Sequence, residues 1–188
     1  MPNPYVAPLK VDIADGAQHA ASLTETIICT DFAFAAGDER IFQGACLRLT
    51  LGFDVSNVVT TPGTITFAIR WGGVAGTILA QTQAIQMDTT ARANYSGLMQ
   101  AWITWRSIGS AGSAFTQGIV HLNNVADAAA AAPQYFTMGS AGANTPAVVG
   151  SLDTTTAKNL SVTADFSVAT AGTQITNHIR ILEAVWPI

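Results

Sequence analysis

Apolar and polar residues alternate along several stretches of this chain, most regularly in the segment 65–71. The apolar members of that segment share one side of an extended chain: Ile65, Phe67, Ile69 and Trp71. Because successive side chains of a strand point to opposite faces, the alternation predicts a strand with one buried and one exposed face. Gly72 and Gly73 follow it and predict a turn into a second strand at residues 77–82.

The same period of two recurs along the chain. Further strands are predicted within residues 21–34, 47–53, 98–106, 115–122, 135–138, 160–168 and 178–186. The one helical candidate is Asn123–Ala132, where Asp127 precedes five alanines, and residues 139–156 are expected to form a long loop. This pattern predicts an all-β fold, an antiparallel β-sandwich of eight or nine strands. The long connections Val55–Thr64 and Asn123–Gln134 favour crossings between sheets, as in a jelly roll.

The amino-terminal segment differs from the rest because it carries Pro2, Pro4 and Pro8. Proline opposes helix and favours extended backbone. Residues 1–15 are therefore predicted to form an extended arm and residues 16–188 a single sandwich domain. The arm is a frayed terminus, an edge strand or a tie to a neighbouring subunit. Its apolar candidates for a protein interface are Tyr5, Val6, Leu9 and Val11.

Composition excludes several classes of partner. Charged residues make up 11% of the chain, under half of the usual fraction of about 25%. The net charge is −4 and the eight basic residues are scattered, which argues against a nucleic-acid surface. No apolar run approaches the roughly 20 residues that span a bilayer. The first residues lack a secretory signal pattern, so assembly in a cytoplasm is expected, with Cys29 and Cys46 as core thiols or, alternatively, a disulfide.

No arrangement of residues predicts catalysis or a cofactor. The three histidines lie in unrelated contexts, and there is no Gly-x-Ser-x-Gly motif. The two cysteines lie far from every histidine, so no zinc spacing exists. Asp165 and Glu183 lie in late strands and could face each other as glycosidase carboxylates, but a solvated strand face explains them better. We therefore expect no enzyme activity, no metal and no cofactor.

The tryptophans are the remaining candidates for binding. Trp71 shares the expected core face, whereas only one of Trp102 and Trp105 can point inward from a regular strand. The outward one is expected at an oligomer contact, under a loop, or on a platform that stacks sugars, as in carbohydrate-binding sandwich modules. Trp105 and Trp186 are the tryptophans assigned here to a protein interface. Trp186 ends a strand whose two faces are both largely apolar, which indicates a central or interface position.

Three segments resemble small structural proteins of tailed double-stranded DNA bacteriophages. The first, residues 65–80, reads ITFAIRWGGVAGTILA and resembles their strand–turn–strand with Arg-Trp-Gly-Gly-x-x-Gly. The later stretches WITWRSIGSAGSAFTQG and LSVTADFSVATAGTQIT resemble an Arg-bearing strand with a Gly/Ser turn and a Thr/Ala/Phe strand near the end. The pattern covers most of residues 65–176, and residues 1–57 add nothing to it.

The resemblance implies a virion component without an active site. Such proteins decorate the head or sit in tails and fibres, and head decoration proteins often form trimers over junctions of the major capsid protein. The expected partners are therefore a second and third copy of this chain and the major capsid protein or other virion proteins. A tail, fibre or adaptor protein and a glycan-binding module remain the alternatives. Deleting residues 1–13 is predicted to weaken attachment to the capsid and to leave the isolated fold intact.

Overall fold

The structure is a computed structural model that describes residues 5–12, 14–58, 63–123, 134–140 and 145–186. The strands among the described residues are β1 (Tyr5–Val11), β2 (Gln18–Ala20), β3 (Thr26–Ile27), β4 (Phe32–Phe34), β5 (Cys46–Asn57), β6 (Thr64–Trp71), β7 (Thr77–Gln81), β8 (Ile85–Gln86), β9 (Arg92–Ser107), β10 (Gly112–Leu122), β11 (Gln134–Met138), β12 (Val148–Leu152), β13 (Lys158–Phe166) and β14 (Gln174–Trp186). The all-β prediction is confirmed. The helical candidate at 123–132 lies almost wholly outside the described residues.

The strands form two antiparallel sheets. The large sheet has eight strands in the order β1-β14-β5-β9-β10-β11, with β2 on the free edge of β14 and β12 on the free edge of β10. The small sheet has six strands in the order β3-β13-β6-β7, with β4 beside β13 and β8 beside β6. The described part of the sandwich therefore has more strands than the eight or nine predicted, because four of those given above, β2, β3, β4 and β8, are only two or three residues long.

The two sheets bury one core between them. The apolar residues that alternate along β5 and β6 are almost inaccessible: Leu47, Leu49, Leu51, Phe53, Ile65, Phe67, Ile69 and Trp71. Aromatic rings join the sheets, since the Phe53 and Phe67 ring centroids lie 5.2 Å apart and those of Trp71 and Trp105 lie 4.9 Å apart. Contacts of this kind fix the separation of the sheets, because side chains from both inner faces interdigitate. The predicted inward face of the segment 65–71 is confirmed.

The connections follow the prediction in part. The chain crosses from the large sheet to the small one between β5 and β6 and returns between β8 and β9. It crosses again between β12 and β13 and returns between β13 and β14. The connection from residue 123 to residue 134 instead leads back into the large sheet, where β11 pairs with β10. The predicted loop at 139–156 also contains a strand, β12, which its small residues concealed.

The turn after Trp71 is confirmed and needs its glycines. Gly72 and Gly73 have φ values of 104° and 82°, which residues with a side chain rarely adopt. A Cβ on Gly76 would lie 2.2 Å from the Trp71 carbonyl oxygen, so only glycine fits there. The turn therefore closes tightly enough for β7 to pair with β6.

The amino-terminal segment is an edge strand of its own chain. Residues 5–11 pair antiparallel with β14, and a bulge at Leu9 turns that side chain against the core. Asp12 then forms an ion pair with Arg180 at 2.6 Å, and the Arg180 side chain is only 1% exposed. This is the edge-strand alternative of the sequence analysis. It removes the reason to expect an intact fold without residues 1–13, because Arg180 would lose the carboxylate that pairs with it.

Both cysteines are free thiols, and the disulfide alternative is wrong. Burial raises the pKa of the Cys29 thiol to about 12, which keeps it protonated and unreactive at neutral pH. Cys46 is only half-buried, on the outer side of β5. The Cys46 thiol is therefore more accessible to solvent than the Cys29 thiol, although both cysteines have apolar neighbours in the sequence.

Candidate functional site

The outer face of the large sheet carries most of the large apolar side chains that the described residues expose. Six of the ten lie on it: Val11, Leu98, Trp102, Tyr135, Val148 and Ile179. We call this surface the large-sheet face. Tyr135 is 70% exposed, Ile179 49% and Trp102 43%. These fractions are too high for core residues, so the three side chains belong to the surface. Contiguous apolar surface of this kind marks a binding or assembly site.

Strand register brings these residues together although they are far apart in sequence. One row across the sheet runs Ile179–Gly52–Leu98–His121–Tyr135. A parallel row four residues away along β9 runs Glu183–Arg48–Trp102–Gln117. Residues directly opposite on neighbouring strands lie about 5 Å apart and interact through their side chains. The face is therefore continuous from β14 to β11.

Half-buried apolar side chains fill the spaces between the exposed ones. They are Phe115, Ile119, Ile181 and Val185, each of which points outward from its strand. Gly52 has a packing role here, because a Cβ on it would lie 3.2 Å from the Cβ of Ile179. The missing side chain lets Ile179 lie across the neighbouring strand.

Two arginines on this face have partners within the chain. Arg48 on β5 and Glu183 on β14 lie side by side, and the arginine Nε donates to the carboxylate at 2.6 Å. The Arg106 guanidinium lies over the Phe115 ring, 5.4 Å from its centroid. Such pairing removes net charge from the middle of the face, so long-range electrostatic capture is not its mode of recognition.

One end of the large-sheet face is bounded by charged groups. His178, at a bulge of β14, lies 2.8 Å from an Asp15 oxygen and 2.9 Å from an Asp54 oxygen. These two hydrogen bonds raise the pKa of His178, because both favour its charged form. The apolar surface therefore has a polar border, which is the usual layout of a protein interface.

The outer face of the small sheet has the opposite character, and we call it the small-sheet face. Arg70 on β6 binds Glu25 with two nitrogens, and Thr163 on β13 donates to the same carboxylate. Burial raises the pKa of Glu25, but the bonds from Arg70 and Thr163 outweigh it and leave the pKa lowered. Ser161 and Thr163 are fully buried although they point outward, so the chain itself covers this face.

The structure reverses the assignment of the two central tryptophans. Trp105 is 1% exposed and its ring meets Trp71 in the core, so it has no surface with which to contact a partner. Trp102 is the outward tryptophan of β9. The assignment of Trp105 to an interface is therefore wrong. Alternation alone showed that one of the two points outward. Which of them does so depends on which side of β9 meets the small sheet.

The other predicted interface residues lie at the β1 edge of the large sheet. Tyr5, Val6 and Trp186 belong to the paired ends of β1 and β14, whose side chains lie outside the described set. Leu9 packs against the core, and Val11 points outward beside Ile181. Their role as an interface stays a prediction.

The interface residues predicted from the sequence did not include Leu98, Tyr135, Val148 and Ile179, which are exposed in the structure. The signal that could have found Ile179 was the apolar character of both faces of the last strand. No signal in the sequence indicated Tyr135 or Val148, because the pairing of β11 and β12 with β10 depends on tertiary structure.

The fold does not bring together the carboxylates considered for catalysis. Asp165 and Glu183, the carboxylates considered for glycosidase chemistry, lie on different sheets, on β13 and β14. Burial and the nearby Glu25 raise the pKa of Asp165, while Glu183 is occupied by Arg48. In the described ranges, no three His, Cys, Asp or Glu side chains come together as metal ligands. Nor does any helix among them have the length and apolarity to span a membrane.

Comparisons with known proteins give a distant structural likeness. No protein-family model matches the sequence, and no curated protein matches it. Among solved structures, the chain is similar to the CBM2 module of the evolved Dit protein of Lactobacillus casei BL23 phage J-1. The identity is 10% and the TM-score 0.33, over 93% of this chain and 77% of that one. A likeness this distant carries no argument about function, so the function is proposed from the chain's own surface.

Proposed function

We propose that this chain is a non-enzymatic structural protein of a tailed-phage virion that assembles through broad contacts between neutral surfaces. The observation that carries the proposal is the large-sheet face, which is open, apolar and free of net charge at its centre. A soluble monomer rarely leaves such a surface in water, because each exposed apolar group costs hydration free energy. The resemblance of residues 65–176 to phage structural proteins supplies the virion context.

Within the virion we propose the head as its location, as a decoration protein on the major capsid lattice. A low charge content supports this role, since close packing between neutral surfaces does not depend on salt. A bridge between neighbouring capsomers would need to bury more than about 1,000 Å² in each contact. The protein would then act mechanically, because that area must be exposed before the shell can separate.

Sedimentation of virion parts tests the location. Particles are separated into tailless heads and free tails, and the chain is detected in each fraction with an antibody. A decoration protein is expected with heads and absent from tails. Recovery with tails alone would overturn the head location and support the tail alternative. Recovery with neither would overturn the virion proposal itself.

A second candidate is a glycan-binding module, which Trp102 specifically favours. Its ring lies on a flat sheet face beside the amides of Gln100 and Gln117, and aromatic faces bordered by amides can hold sugar rings. On the same face, the rings of His121 and Tyr135 are stacked, with centroids 4.9 Å apart. A glycan array with the purified chain and the Trp102→Ala variant tests it. Binding that the variant loses would support this candidate, and an array without signal would reject it.

A further inference from the structure

We infer that the large-sheet face is a self-association surface whose occupant is a second copy of this chain, packed sheet against sheet about a two-fold axis. The inference deepens the proposed assembly role by naming the partner. It concerns the purified protein, so its outcome is independent of where the protein sits in a virion.

The area of the face matches the requirement for a stable dimer. Six strand positions lie side by side from β1 to β11. With five intervals of about 4.8 Å between these strands and about 3.3 Å per residue over roughly ten residues, the face covers about 800 Å². A standard stable interface buries about 800 Å² on each partner. One complete face against another therefore supplies enough area without further contacts.

The shape of the face favours another sheet as its occupant. Sheets twist with a fixed hand, and two sheets of the same twist pack face to face with their strands about 30° apart. The core of this protein already packs one sheet face against another, with Phe53 against Phe67 and Trp71 against Trp105. A second copy presents a surface of the same twist and polarity. The projecting side chains of Leu98, Trp102 and Ile179 would interdigitate with their equivalents.

Charge also permits pairing of the face with itself. A two-fold contact brings the same surface patch together from both subunits. A face with an excess of one sign would repel its copy, but here Arg48 and Glu183 neutralise each other. Gln100 and Thr50, which lie opposite each other near the middle of the sheet, can donate and accept hydrogen bonds. The face is thus electrostatically compatible with itself.

The symmetry of this contact is that of a dimer. A single face that binds its own copy closes a two-fold pair and leaves no equivalent face free, whereas a trimer needs two different patches on each subunit. The inference therefore replaces the trimer expected from the family resemblance with a dimer. In the assembled dimer the surfaces outside the contact remain available to other virion proteins.

Sedimentation velocity with light scattering tests the inference on the purified full chain at micromolar concentration. The expected species has twice the chain mass of 19.5 kDa. Leu98→Lys and Ile179→Lys, which place a charge in the contact twice per dimer, are expected to raise the dissociation constant on the order of 100-fold or more. Matched controls are Leu23→Lys and Val74→Lys, which add the same charge at exposed apolar positions outside the face and are expected to remain dimeric.

Thiol labelling adds a readout that needs no substitution. Cys46 lies on the large-sheet face, between Val185 and Thr104, whereas Cys29 is buried in the monomer. Labelling of Cys46 in the unmodified chain is expected to slow as concentration rises through the dimer range. A monomer at every concentration tested would overturn the inference, as would a trimer, a dimer that both face variants preserve, or Cys46 labelling independent of concentration.

Discussion

The two outer faces of this sandwich are built from similar alternating sequence and end in different states. The small-sheet face carries Arg70, Glu25 and Thr163 in one hydrogen-bonded network, and the chain itself covers it. The large-sheet face carries exposed Leu98, Trp102 and Ile179, and nothing among the described residues covers it. On the first face, the side chains of Arg70, Glu25 and Thr163 satisfy one another within the subunit. Apolar groups on the second remain exposed, which is why we propose a partner for that face.

The largest effect is expected from deletion of residues 1–13. It removes β1, and it leaves Arg180 buried without Asp12. Loss of one partner of a buried ion pair costs about 3–5 kcal/mol, which is a large part of the about 5–15 kcal/mol that stabilises a typical domain. We expect the truncated chain to lose its cooperative thermal transition, measured by circular dichroism.

The point variant Asp12→Asn separates the two contributions of that deletion. It keeps β1 and is expected to lower the unfolding free energy while leaving a cooperative transition. A truncated chain that melts like the full chain would show that β1 is an arm separate from the domain, as the sequence first indicated.

The second effect compares two tryptophans on opposite sides of β9. Trp105→Ala is expected to lower the unfolding free energy by about 3–5 kcal/mol, because it leaves a cavity beside Trp71. Trp102→Ala is expected to cost less than about 1 kcal/mol, since its ring contributes little to the subunit interior. Urea denaturation of dilute, monomeric samples measures both. Equal costs would mean that the large-sheet face is covered by its own chain, and the contrast between the faces would fail.

The third effect tests the small-sheet face. Glu25→Ala removes the carboxylate that accepts hydrogen bonds from Arg70 and Thr163. Hydrogen bonds to charged groups contribute about 2 kcal/mol each, and the pair is mostly buried, so we expect a loss of about that size in urea denaturation. Self-association should not change, in contrast to Leu98→Lys. A loss of self-association in Glu25→Ala would show that the contact had been assigned to the wrong face.

The smallest effect is expected at the charged border of the large-sheet face. His178 has a raised pKa because Asp15 and Asp54 accept its hydrogen bonds. A raised folded pKa stabilises the fold fully below the unfolded value of 6.5 and loses that contribution as pH rises through the folded value. The thermal midpoint of the wild type should therefore exceed that of His178→Gln in acid and approach it in base. A difference that grows with pH would contradict the assigned contacts.

Much of the fold was determined by local pattern. Alternation at 65–71 placed Ile65, Phe67 and Ile69 in the core, and all three are fully buried. The glycines after Trp71 predicted the turn, because only glycine adopts its backbone angles. Such features depend on neighbours in sequence, and period-two alternation states directly which residues share a face.

The functional surface depended on tertiary structure. Alternation separates Trp102 from Trp105 but does not say which of them faces the small sheet, so the wrong one was assigned to the interface. Leu98, Tyr135 and Ile179 form one row only because β9, β11 and β14 belong to the same sheet. Strand order and register are set by contacts between residues distant in sequence. The sequence alone therefore determined that a sandwich with two faces forms, and only the packed sheets decided which face is left for a partner.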